Sequence, residues 1–198
     1  MNKAHRLSIL LILLASLSAN AMADDVRYTW GLGLGSSQFQ LNKSELVASY
    51  SGLSNASTFI DSSTSFNAFG GVRFDQYLAL ELDLMSSGDI VAREAGRSLK
   101  LFDISTFALT LVGSSQLTEK AQVFGRLGVH FWDIAESAGS FDTINSAVDI
   151  TYGAGIDINL YGDRSRQMRI QWNHYEYDGI YIDSSDTFSL SLIFLVGG

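Results

Sequence analysis

Six charged residues carry what chemistry this sequence has to offer: the acids Glu81, Asp83 and Asp157 and the bases Arg73, Arg126 and Arg169. The alternation around them places all six on one side of a sheet. Carboxylates beside guanidinium groups have two uses. In a cleft they tune one another's protonation and serve acid–base work. In a narrow interior they pair, because a lone buried ion costs several kcal/mol. Catalysis by a side-chain nucleophile needs that nucleophile, a base and a group to orient the base. No such set can be assembled. His5 lies in a leader segment. His130 falls on the side of Arg126, four residues earlier, where a hydrogen-bonding role suffices. His174 falls on the opposite side, in Asn173-His174-Tyr175-Glu176. There is no Cys, and three His lack the spacing of a metal motif. We therefore expect no catalytic residue, no cofactor and no metal, and read the six charges as an ion-pairing interior.

The stretch that positions two of the acids is FNAFGGVRFDQYLALELDL, residues 66–84. Phe66, Ala68, Gly70, Val72 and Phe74 share one parity. Leu78, Leu80, Leu82 and Leu84 do the same after the Asp75-Gln76-Tyr77 turn. Asn67, Arg73, Glu81 and Asp83 lie between them. Period-2 alternation around a short turn makes a hairpin with one apolar and one polar face. An unbroken leucine row opposite charges that recur along the chain suggests leucines facing lipid and charges facing a barrel interior.

The N-terminus is expected to be removed. Lys3, His5 and Arg6 precede the apolar run LSILLILL, and Ala21-Met22-Ala23 has the small-x-small form of a cleavage site. This is the layout of a secretory signal peptide over residues 1–23, with a barrel domain over 24–198. The apolar run is shorter than the ~20 residues a spanning helix needs. Without Lys3 and Arg6 the formal charge of −8 becomes −10. So acidic a chain repels nucleic acid at long range, and no nucleic-acid partner is expected.

Eight strands follow in order. Residues 28–35 set Tyr28, Trp30, Leu32 and Leu34 against Thr29, Gly31, Gly33 and Gly35, a glycine face suited to a crowded small-barrel interior. The 66–84 hairpin supplies two strands. The strand at 102–113 is expected to turn Phe107, Leu109 and Leu111 outward. At 123–132, Val123, Leu127, Val129 and Phe131 oppose Phe124, Arg126, Gly128, His130 and Trp132. The last three strands, 148–160, 168–175 and 187–196, alternate in the same way. Polar segments at 36–63, 86–98, 133–145 and 176–186 read as long loops. The connections at 75–77, 114–120 and 161–167 read as short turns. Long and short in alternation, with aromatics near strand ends, fit an all-β, eight-stranded antiparallel up-and-down transmembrane β-barrel.

GVRFDQYLALELDL, VFGRLGVHFWD, YGAGIDINL and MRIQWNHYEY, in this order and spacing, resemble the OmpA-like outer-membrane β-barrel family across the region after the leader. The resemblance implies a bacterial outer-membrane location. Its implied partners are outer-membrane lipid, lipopolysaccharide and the assembly machinery. It also places Glu81, Arg126, Asp157 and Arg169 where that family keeps a lumen salt-bridge network, structural or gating. Two departures stand out. The sequence stops after the eighth strand, so no peptidoglycan-binding domain is expected. It ends Phe194-Leu195-Val196-Gly197-Gly198, with the terminal aromatic recessed.

The roles this implies are structural or surface-interacting, without catalysis. The first alternative is a narrow ion-conducting pore gated by the lumen network. A more distant one is a lipid A-modifying enzyme, for an outer-membrane deacylase of similar shape carries His and Ser on its outside. Here the position two residues after His174 is Glu176. Acids of the loops (Asp61, Asp89, Glu94, Glu136, Asp142, Asp178, Asp183, Asp186) are read first as solvated charge.

Overall fold

The computed structural model describes residues 26–50, 52–94, 96–136, 146–160 and 163–196. The expected signal peptide lies outside these residues. Strands β1 (Arg27–Leu41), β2 (Thr58–Ile60), β3 (Ser62–Arg73), β4 (Leu78–Ser87) and β5 (Ile90–Glu94) come first, with a short helix α1 (Lys43–Ser49) after β1. Strands β6 (Arg97–Gln116), β7 (Ala121–Glu136), β8 (Ser146–Leu160), β9 (Asp163–Glu176) and β10 (Ile182–Val196) complete the order. Eight of them close a ring in the order β1-β3-β4-β6-β7-β8-β9-β10, with β10 returning to β1. Every pairing is antiparallel, and a closed ring leaves no strand edge to satisfy in lipid.

Outward positions of the ring's lower half form an apolar belt. Leu32 and Leu34 on β1, Leu84 on β4, Leu111 on β6, Leu127 and Val129 on β7 and Leu190 and Leu192 on β10 are all exposed. The belt on β7 runs from Val123 to Phe131. At about 3.3 Å per residue and a tilt of about 35–45° it rises roughly 20–25 Å, the height of a barrel's lipid-facing band. Aromatics mark its limits. Trp30 stacks on Phe194 with centroids 4.4 Å apart near the short-turn end. Tyr152, Trp172 and His174 cluster toward the long-loop end. On β6, Ala108, Thr110 and Val112 are buried and Leu111 is exposed, the phase expected from the larger side chains.

The strands do not stop at the belt. β6 has 20 residues, about twice the 9–11 that a spanning strand needs. Outward positions above the belt turn polar: Ser36, Gln38 and Gln40 on β1, and Ser86 and Ser105 on β4 and β6, are exposed. Inward positions there turn apolar. Phe39, Met85, Ile90, Ala92, Leu101, Phe102, Ile104, Trp132, Ile134, Tyr175, Tyr181 and Ile182 form one buried cluster, closed by Leu46 and Tyr50 from the α1 segment.

Two expected loops are therefore structured. Segment 36–63 contains the end of β1, α1 and β2, and begins β3. Segment 86–98 contains β5, and β6 starts at Arg97. β2 pairs with β5, and β5 with the first residues of β6, so a three-stranded flap extends the ring. A β-bulge lets the flap join: Ile90 pairs with Phe102 but Val91 with Lys100, and both Leu101 and Phe102 are buried. Gly96, at φ +80, supplies the left-handed residue the β5–β6 turn needs. Helix α1 starts at Asn42, whose side chain accepts from Glu45 N, and Glu45 sits in the first turn. The expected loop at 133–145 gives its first four residues to β7, and 137–145 lies outside the described residues. Likewise Asp163–Gln167 of the expected turn at 161–167 belongs to β9, and 161–162 lies outside the described residues.

Candidate functional site: the barrel lumen

The inward glycines of β1 and β8 make the lumen's centre possible. A Cβ on Gly31 would stand 2.4 Å from Phe69 Cζ, and one on Gly155 would stand 2.5 Å from Phe124 Cζ. The two phenyl rings occupy the vacated space and flank the Arg169 guanidinium, at 5.0 Å (Phe69) and 4.3 Å (Phe124) from its Cζ. Cation–π contact on both sides supplies part of what solvation would have given.

Arg169 on β9 spends its donors on two acids. Its Nε and Nη2 donate to the two oxygens of Asp157 on β8, at 2.7 and 3.0 Å, in the side-by-side fork that guanidinium and carboxylate favour. Its Nη1 donates to Glu81 Oε2 on β4 at 2.8 Å, across the lumen. Arg126 on β7 pairs with Asp83 on β4, and also donates to Thr110 Oγ1 at 2.7 Å and to Gln171 Oε1 at 3.4 Å. Arg126 Nη1 stands 4.0 Å from Glu81 Oε2, so Glu81 links the two arginines. Thus Glu81, Arg126, Asp157 and Arg169, with Asp83, form one connected group. Asp83 is a closer partner of Arg126 than Glu81 is. Glu81, Asp157 and Arg169 are each 1% exposed.

Arg73 stands apart. It lies nearer the short-turn end, where its Nη1 is 3.5 Å from Gln122 Oε1, and Gln122 in turn reaches Asp157 Oδ2 at 3.3 Å. The third base of the sequence thus joins the group through an amide.

Above the ionic layer His130 is fully buried. Its Nε2 donates to the Glu176 carbonyl at 2.7 Å, and its ring meets Tyr175 and Tyr177 edge-on at 5.2 and 5.1 Å. Tyr175 and Tyr177 are themselves members of the apolar cluster. Tyr177 lies past the end of β9, its hydroxyl 3.2 Å from Ser185 Oγ, and burial pushes its phenol above the ordinary value. The sequence reading missed this cluster because its members are scattered across segments read as loops. The signals were there: Asn42 with Glu45 three residues on, and Ile90/Ala92 and Leu99/Leu101 alternating either side of Gly96.

On the outside, His174 Nδ1 lies 2.9 Å from Asp186 Oδ1, which also accepts from Trp172 Nε1 at 2.9 Å. A base held by an acid is two-thirds of a nucleophilic constellation. The other ring nitrogen, however, faces Glu176 Oε1 at 3.7 Å, a carboxylate where a hydroxyl would be needed. Loop acids are engaged locally. Asp89 is hydrogen-bonded to Lys100 at 2.6 Å and holds its ammonium above the ordinary value. Hydrogen bonds from Ser57 and Ser54 hold the Glu94 carboxyl below its ordinary value. Among the described residues no group of three or more His, Asp or Glu side chains gathers to hold a metal ion.

Solved structures share this architecture. Ail of Yersinia pestis superposes with a TM-score of 0.54 at 16% identity, covering 86% of this chain and 98% of that one. Neisserial surface protein A gives 0.61 at 9% identity, covering 85% and 96%. The N-terminal β-barrel domain of OprF from Pseudomonas aeruginosa gives 0.54 at 9% identity, covering 85% and 97%. At such identities the likeness is one of fold. No curated protein matches the sequence. The family model of the outer membrane protein β-barrel domain matches residues 9–194, and the chain belongs to that family.

Proposed function

We propose that this outer-membrane barrel is a closed, non-catalytic protein whose role is structural or a contact made by the part standing above the membrane. One observation carries the reading: the lumen is filled at two levels by different means. Buried ion pairs occupy the membrane layer, and packed apolar side chains occupy the layer above it. A conducting path would have to break both. The surface left for a partner is the outer wall and the flap of β2, β5 and the start of β6, with the polar outward residues of β1. In this reading residues 1–23 direct export and are removed, the assembly machinery inserts residues 24–198, and lipopolysaccharide lies against the upper edge of the belt. Ail has been captured with the heparin analogue sucrose octasulfate. A chain of net charge −10 without residues 1–23 is a poor match for such a polyanion, so a neutral or cationic partner suits it better.

Planar-bilayer recording of the refolded protein tests closure. The proposal expects no channel events. The second reading, a gated narrow pore, draws on a cavity of about 450 Å³ that enters the short-turn end as far as Arg73. It requires discrete events whose conductance changes with Arg126→Gln or Arg169→Gln. Lipid A incubated with the protein and unchanged in mass agrees with the non-catalytic reading, and a lost acyl chain overturns it.

A further inference from the structure

The cavity at the short-turn end has a lining that the filled lumen above it does not explain. Arg27 on β1 stands directly opposite Arg73 on β3 in the strand register, and both line the cavity. Like charges opposite each other in a sheet repel. Arg73 is only 8% exposed, and among the described side chains no carboxylate lies within ion-pairing distance of it. Arg126 and Arg169 each have a carboxylate of their own, while Arg73 has an amide. A second buried polar group lines the same cavity. Gln167 is 4% exposed and its Nε2 donates to Asn159 Oδ1 at 2.7 Å, yet its Oε1 has no partner. A buried acceptor left without a donor is destabilising.

We propose that this cavity binds a small phosphorylated, hydroxyl-bearing molecule from the periplasmic side. The two guanidinium groups take the phosphate, for which their fork geometry is suited. The hydroxyls fall to the carboxamides, each of which donates and accepts as a hydroxyl does. Gln76, Gln116, Gln122, Asn159 and Gln167 make up the amide lining. The acids on the lining do not cancel the site. Asp75 Oδ1 is occupied by the Tyr77 and Leu78 amides at 2.6 and 2.7 Å, and Glu119 is exposed to solvent. A volume of about 450 Å³ lies within the range of small-molecule pockets, about 300–1,000 Å³.

The same chemistry is offered by a free sugar phosphate and by the glycerophosphate headgroup of an inner-leaflet lipid. Calorimetric titration of the refolded full chain in neutral detergent with glucose 6-phosphate tests the site. Saturable binding is expected, weakened roughly tenfold or more by Arg27→Gln through loss of a charge-assisted hydrogen bond. Gln167→Leu should weaken glucose 6-phosphate while leaving inorganic phosphate unchanged. Arg73→Gln is a harsher variant, and Arg27→Gln keeps the test decisive if Arg73→Gln fails to fold. Repeating the titration in nanodiscs with phosphatidylglycerol separates the sources. Loss of glucose 6-phosphate binding there assigns the site to a headgroup, and its persistence assigns it to a solute. No saturable heat with glucose 6-phosphate in detergent, or binding that Arg27→Gln leaves unchanged, overturns the proposal.

Discussion

The lower and upper halves of this barrel are built from the same strands with opposite polarity. In the lower half leucine and valine face outward and Glu81, Asp83, Asp157, Arg126 and Arg169 face in. In the upper half serine and glutamine face outward and Phe39, Ile90, Phe102 and Ile104 face in. The lower half is arranged for lipid, which accepts apolar side chains and no charge. The upper half is arranged as an ordinary water-soluble barrel, with its apolar side chains inside. The change comes within single strands. On β1 the outward series passes from Leu32 and Leu34 to Ser36 and Gln38, while the inward series passes from Gly31 and Gly33 to Phe39. On β1 the boundary of the membrane is thus written twice, once on each face.

The halves should also fail differently. Arg126→Ala leaves Asp83 buried without its cation and should cost about 3–5 kcal/mol of global stability. The loss should appear as a lower unfolding temperature in heat-modifiable gel migration. An unchanged midpoint would remove the ionic lower half from the account. In the upper half, Leu46→Ala should cost about 2–5 kcal/mol. There the damage is local: α1 should become open to protease while gel migration of the barrel stays as before. If Leu46→Ala melts the whole barrel, the two halves are one cooperative unit.

A matched pair of outward substitutions sharpens the comparison. Leu127→Arg, in the middle of the belt, should destabilise by about 2–4 kcal/mol. Gln38→Arg, above it, should stay within about ±0.5 kcal/mol. Denaturant unfolding in lipid vesicles reads both, and equal costs would erase the boundary between the halves.

The smallest effect concerns pH and belongs to the upper half alone. Glu94 receives hydrogen bonds from Ser54 and Ser57, and its carboxyl lies below the ordinary value of 4.5. A depressed carboxyl adds stability above its unfolded value and loses it as pH falls through the folded one. Acidification below about pH 4.5 should therefore release the segment around Ser54 and Ser57 from β5. Amide hydrogen exchange at Ser54 and Ala56 should rise there, and Glu94→Gln should remove the pH dependence.

The lower half was legible in the sequence because its rule is uniform. Lipid demands apolar side chains at every second position. Leu78, Leu80, Leu82 and Leu84 therefore announce a strand, and Glu81 and Asp83 between them announce the lumen. The partner of each ion was less legible, because parity places a side chain on a face without fixing its height. The sequence groups Glu81, Arg126, Asp157 and Arg169 on one face, and only the structure shows that Arg126 lies closer to Asp83 than to Glu81 and that Arg73 reaches no carboxylate among the described side chains. The upper half was misread for a physical reason. Its outward residues are polar, so strand segments such as Gln38-Phe39-Gln40 look like loop. Its core also draws no more than one to three residues from each of α1, β1, β4, β5, β6, β7, β9 and β10. The bulge at Leu101 and Phe102 breaks the period where the flap joins.

The inversion of polarity along one strand can be measured directly. The chain has no Cys, so single cysteines can carry spin labels at will. Labels at Leu32, Leu34, Gln38 and Gln40 of β1, in the barrel reconstituted in lipid, would be read by collision with oxygen, which favours lipid, and with a water-soluble nickel chelate. The account predicts oxygen access at Leu32 and Leu34 and chelate access at Gln38 and Gln40. Lipid exposure at Gln38 and Gln40, or water exposure at Leu32 and Leu34, would contradict it.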